Sequence, residues 1–89
     1  EYQAAITSFE SFLKENPATP HREDIIKYMV LTYSKYAEKS VAEKQRERYE
    51  LALEKYNTLV YVFPESKYIA ELEPTVEKIK IELSNIKTK

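Results

Sequence analysis

His21 is the only histidine among 89 residues, and the chain has neither cysteine nor glycine. A single imidazole lacks the companion ligands that a metal site requires. The sequence also places no serine or paired carboxylate around it that would make it a general base. Beside Pro20, at a predicted helix start, His21 reads as a solvated first-turn residue. Glu23 and Asp24 read as first-turn acids that complement the helix dipole. Without cysteine there is no thiol nucleophile, no thiolate zinc site and no disulfide frame. Without glycine there is no phosphate-cradling loop and no dinucleotide fingerprint, since both need backbone that only glycine allows. The expectation is a protein that binds, without enzymatic chemistry and without a cofactor.

Binding chemistry rests on the aromatic and charged residues. Eight tyrosines could offer a stacking surface for bases or prolines. Six of them (Tyr2, Tyr33, Tyr36, Tyr49, Tyr56 and Tyr68) fall on apolar stripes, where core packing is the plainer reading. Tyr28 and Tyr61 lie off the stripes and are the better interface candidates, with packing against the last helix as the alternative for Tyr61. The run Glu43–Glu50 mixes signs at helical spacing, the pattern of a solvated face laced by i,i+4 pairs. Its functional version has Arg46 and Arg48 contacting an acidic partner. Fourteen Lys and Arg against 15 Asp and Glu give a net charge of −1. No basic excess gathers on one face, so nucleic acid is not an expected partner. The longest apolar run, Leu59–Phe63, is far too short to span a membrane. The chain opens on Glu1, which suggests a piece of a longer protein.

Helices must position these residues. Tyr2, Ala5, Ile6, Phe9, Phe12 and Leu13 recur three or four apart, which predicts a helix over 1–16. Asn16-Pro17 ends it, because the residue before proline is pushed out of the α region. Thr19 as cap and Pro20 as first helical residue then open a helix over 20–38, with Ile25, Ile26, Met29, Tyr33, Tyr36 and Ala37 inward. Ser40-Val41-Ala42-Glu43 has the form of a capping box. It opens a long helix over 41–63, roughly 34 Å at 1.5 Å per residue. The inward face of that helix reads Gln45, Tyr49, Ala52, Leu53, Tyr56, Leu59, Val60 and Phe63. Ser66 caps a last helix over 67–87 that holds Tyr68, Ile69, Leu72, Val76, Ile79, Leu83 and Ile86. Pro74 lies inside it, at a cost of about 3 kcal/mol in an ideal helix interior. Either the helix kinks there or it splits; the unbroken apolar stripe favours a kinked, continuous path.

The chain repeats itself. Tyr2, Ala5, Ile6, Phe9, Phe12, Leu13 and Pro17 align with Tyr49, Ala52, Leu53, Tyr56, Leu59, Val60 and Pro64 at a constant offset of 47. Thr19 then aligns with Ser66, Ile25 with Leu72 and Met29 with Val76. A small residue, an aromatic one turn later and a proline at the end match the second helix of a tetratricopeptide repeat. That repeat has a period of about 34 residues, so roughly 13 are extra here. They fall at 37–49, in the hairpin between the second and third helices. The fold class is therefore all-α: about four helices in one domain, as tetratricopeptide-like antiparallel hairpins stacked in a right-handed superhelix.

The segment AEKSVAEKQRERYE at 37–50, followed by FPESKY at 63–68, closely resembles the BamD (YfiO) family of outer-membrane assembly lipoproteins in its Bacteroidota form. The resemblance covers nearly the whole chain, and Pro74 fits the last repeat of the family. It implies a scaffold at the periplasmic face of the bacterial outer membrane, in the complex that inserts β-barrel proteins. The partners it implies are the POTRA domain of BamA and other subunits of the complex. It also implies a membrane link only through a lipid anchor lying outside this fragment, which corresponds to the carboxy-terminal repeats. Where the family sets a basic residue facing the POTRA domain, this chain has Lys55, a point charge less demanding in geometry than an arginine fork. The first helix lacks a hairpin partner of its own, so its far side is expected to be exposed and apolar. The rival reading is an adaptor that grips a peptide in a concave groove, for which Arg22 and Lys27 are the available cations.

Overall fold

The structure, a computed structural model, describes residues 1–86, and these form an all-α, tetratricopeptide-like arrangement of four helices. Helix α1 covers Tyr2–Glu15, α2 Arg22–Glu38, α3 Ala42–Val62 and α4 Tyr68–Asn85. The last helix stops at Asn85, with Ile86 extended at its end, short of the expected 87, which itself lies outside the described residues. Pro74 sits within an unbroken α4, so the split alternative is excluded. Its ring is on the exposed side, while Leu72, Val76 and Ile79 carry the buried stripe past it.

The internal repeat holds at the level of single hydrogen bonds. Asn16 and Phe63, 47 residues apart, close α1 and α3 with nearly the same backbone, φ −132° and ψ 64° against φ −127° and ψ 67°. Each donates its N–H to the carbonyl four residues back, Phe12 at 2.9 Å and Leu59 at 2.8 Å. The following turns match too: the Thr19 N–H reaches the Asn16 carbonyl at 3.0 Å, and the Ser66 N–H reaches that of Phe63 at 2.9 Å. The two hydroxyls then act alike, Thr19 accepting from the His21 N–H and Ser66 from the Tyr68 N–H, both at 3.1 Å. No described residue has positive φ, so these ends turn the chain without the left-handed backbone that favours glycine.

Three helix starts differ from expectation; α4 begins at Tyr68 with Lys67, not Ser66, in the cap position and no side-chain cap bond. Helix α2 begins at Arg22 with His21 in the cap position and no side-chain cap bond, so Pro20 precedes the helix instead of opening it. The Thr19 hydroxyl does accept from the N–H two residues on, that of His21, but the chain turns once more before the first helical bond, from the Ile25 N–H to the His21 carbonyl at 2.9 Å. The capping box at Ser40 does not form either, and α3 starts after an extended Val41 with no side-chain cap bond. The Ser40 hydroxyl instead donates back to the Tyr36 carbonyl, a bond that serine readily makes to the preceding helical turn. Its oxygen accepts from Arg48 Nη1 at 2.7 Å.

Two apolar clusters hold the helices. Ile6 from α1, Met29, Tyr33 and Ala37 from α2, Tyr49 and Ala52 from α3, and Ile79 from α4 form the first. Ile26 and Val30, with Leu59, Leu72 and Val76, form the second between α2, α3 and α4. Ala52 and Ala37 are fully buried, and a methyl at each lets the helices approach closely. Helix α2 is central, packing on all three others, whereas the backbone of α1 approaches α2 alone. Tyr2 (37% exposed), Phe12 (41%) and Val60 (37%) are accordingly outside the core that their stripe positions suggested. Tyr2 and Phe12 leave α1 with exposed apolar surface. The molecule measures 41 × 27 × 18 Å.

Candidate protein-docking surface

The five candidate contact residues do not gather at one place. Arg46 is turned toward α4, its Nη2 donating to the Ile86 carbonyl at 3.0 Å and its Nη1 lying 3.9 Å from Glu50. Arg48 is turned the other way, onto α2. Its guanidinium carbon lies 3.9 Å from the centroid of the Tyr36 ring, and it also holds Ser40. Both arginines thus brace α3 against its neighbours, one on each flank. Planar guanidinium suits this work, since it stacks and donates at once.

The other three are closer to solvent. Lys55 is half-buried on α3 and has no ion-pair partner among the described residues. Tyr28 is half-exposed, with the Lys27 ammonium 5.0 Å from its ring centroid. Tyr61 is 88% exposed and does not pack against the last helix. With Glu50, Leu53, Glu54, Asn57 and Thr58 it borders an open stretch of the surface of α3 itself. His21 is exposed at the start of α2. Among the described residues no group of three His, Cys, Asp or Glu side chains is placed to hold a metal ion.

The structure also joins residues that sequence reading kept apart. Tyr68 donates its hydroxyl to the Asp24 carboxylate, while Lys27 lies 4.4 Å from the Tyr68 ring centroid and 3.7 Å from Glu71. The hydrogen bond to Asp24, followed by burial and the nearby carboxylates, pushes the Tyr68 hydroxyl up to about 12. The available signal was a pair of matched i,i+3 spacings, Asp24–Lys27 and Tyr68–Glu71, on two helices that meet. Tyr33 is held likewise, pushed up to about 12 by burial first and then by Glu10, whose carboxylate accepts its hydroxyl at 3.3 Å. Glu38 stands between Lys35 at 3.6 Å and Lys78 at 3.5 Å, and those two charges, Lys35 first, hold its carboxyl below the usual range.

These contacts weigh against the peptide-gripping adaptor. Arg22 donates to the Pro17 carbonyl and Lys27 is committed to Tyr68 and Glu71, so neither cation is set out for a ligand carboxylate. No described helix is long and apolar enough to cross a membrane. A sequence model of the family described as YfiO, outer membrane lipoprotein, matches residues 1–88. No curated protein matches the chain.

Proposed function

From the premise that the chain belongs to the YfiO family of outer membrane lipoproteins, we propose that it is a non-enzymatic docking module for outer-membrane β-barrel assembly. It works at the periplasmic face of that membrane and binds other assembly subunits, foremost the POTRA domain of BamA. The family match across residues 1–88 is the observation that carries this reading. The geometry supports it by what it offers a partner: a braced set of hairpins with tyrosine and lysine at the surface.

The mechanism is complementarity of surfaces without covalent chemistry. Paired helices in a repeat array keep their outer faces fixed relative to one another, so a partner meets a preorganised surface and little ordering entropy is lost on binding. Lys55 supplies the cationic contact. Its ammonium is free of internal ion pairs among the described residues, and it gains a carboxylate on the partner at little cost in lost contacts. The test is co-purification of BamA with the full-length protein from a native outer-membrane extract. Recovery of BamA is expected, and its absence overturns the assembly reading. With Lys55→Glu, binding to the isolated POTRA domain is expected to fall about tenfold, since like charges then meet across the interface. Unchanged affinity removes Lys55 from the contact and leaves the rest of the proposal standing.

A further inference from the structure

The structure sorts the mixed charges of α3. Glu43, Glu47, Glu50, Glu54, Asn57 and Tyr61 follow one another at alternating steps of four and three residues, which places them on one line along the helix. All six are exposed. The line runs roughly 27 Å at 1.5 Å per residue, directly opposite the buried face formed by Tyr49, Ala52 and Leu59. In sequence the acids are interleaved with Lys44, Arg46, Arg48 and Lys55, which looks self-neutralising. In the fold Arg48 is drawn onto Tyr36 and Ser40, and Arg46 onto the Ile86 carbonyl and, at 3.9 Å, Glu50. Glu43, Glu47 and Glu54 have no ion-pair partner among the described residues. The outward face of α3 is therefore an acidic line whose second half, Glu50, Glu54, Asn57 and Tyr61, borders an open stretch of the helix's own surface beside Leu53.

We propose that this face docks a basic amphipathic helix of another protein. Lysine or arginine side chains two turns apart on that helix meet Glu47 and Glu54, and an apolar residue at its end covers Tyr61. A helix fits because a second helix laid at a shallow angle presents contacts at the same alternating spacing. A basic partner fits because three of the four carboxylates on the line, Glu43, Glu47 and Glu54, have no ion-pair partner among the described residues. A second copy of this chain does not fit, since a two-fold pairing through this face sets carboxylate against carboxylate. The contact is distinct from that of Lys55, which lies about 100° around the helix from Glu54.

The probe is a helix-forming peptide as long as the line, with lysines at alternating four- and three-residue steps on one face and leucine at one end. Two controls accompany it, a peptide of the same composition in scrambled order and one with glutamate for lysine. Fluorescence anisotropy and amide chemical shifts of the full chain read the binding. Saturable, salt-sensitive binding of the patterned peptide is expected, with shifts concentrated along Glu47–Tyr61. Affinity is expected to drop about tenfold or more in the Glu47→Lys, Glu54→Lys double variant, where attraction becomes repulsion. Tyr61→Ala is expected to weaken binding without altering the salt dependence. Equal binding of the scrambled peptide, no response to the double reversal, or shifts centred elsewhere would each overturn the proposal. Self-association of the chain that is lost in Tyr61→Ala would also overturn it, by giving the face to a second copy.

Discussion

At the scale of single residues, the side chains that brace the helices also set the response to pH. Tyr33 and Tyr68 hold their protons up to about 12, against an ordinary value of 10.0. A raised value in the folded chain means their contribution to stability is intact below pH 10. It is then lost as the pH climbs from 10 toward 12, where the unfolded chain sheds protons that the folded one retains. Urea midpoints measured across that range are expected to fall, and to fall less steeply in Tyr33→Phe and Tyr68→Phe; parallel curves for all three chains would contradict the assignment. Ser40 and Arg48 yield a second test. Because the serine hydroxyl serves Arg48 and not a cap, a double-mutant cycle of Ser40→Ala with Arg48→Ala is expected to show coupling of about 0.5 kcal/mol or more. The same cycle with Glu43→Ala is expected to show none. The sequence revealed that Tyr33, Tyr68 and Arg48 lie on helices and that Tyr33 and Tyr49 face inward, but it set the exposed Tyr2 inward as well. It did not reveal the direction of Arg46 or Arg48, since that depends on α4 and α2 lying against opposite flanks of α3.

At the scale of elements, prolines and hydroxyls punctuate the chain: Asn16-Pro17 ends α1 where local pattern sets it, while α2 and α3 start later than their hydroxyls suggest. Periodicity made all four helices legible, because a buried stripe needs its apolar residues at helical spacing whatever the surroundings. Helix starts were less legible. A hydroxyl has one proton and few lone pairs, and Thr19 and Ser40 spend theirs on a turn and on a preceding carbonyl. Pro74 is the one feature at odds with its element. Its ring is exposed and it leaves α4 short of one backbone bond, so Pro74→Ala restores an N–H donor without opening a cavity. The variant is expected to be more stable by about 1–3 kcal/mol, read from the denaturant midpoint. A loss of stability would mean that α4 depends on the proline for its packing against α2 and α3.

At the scale of the whole molecule, α2 is the hub and α1 the outlier. The repeat made the hairpin order legible, but the unequal packing was not. Ile6 is buried as deeply as any core residue, while Tyr2 and Phe12 on the same helix remain exposed. A stripe records which residues are apolar and says nothing about how many neighbours arrive to cover them. Because the backbone of α1 approaches only α2, releasing α1 leaves the pairing of α2, α3 and α4 standing. Native-state hydrogen exchange is expected to show this as a separate cooperative unit, with the α1 amides opening at lower free energy than those of α2 and α3. Uniform protection across all four helices would refute it. The same release would uncover the Tyr33 hydroxyl, whose carboxylate partner Glu10 rides on α1. Ionising Tyr33 then favours the undocked state, and alkaline unfolding is expected to begin with departure of the first helix while the other three remain folded.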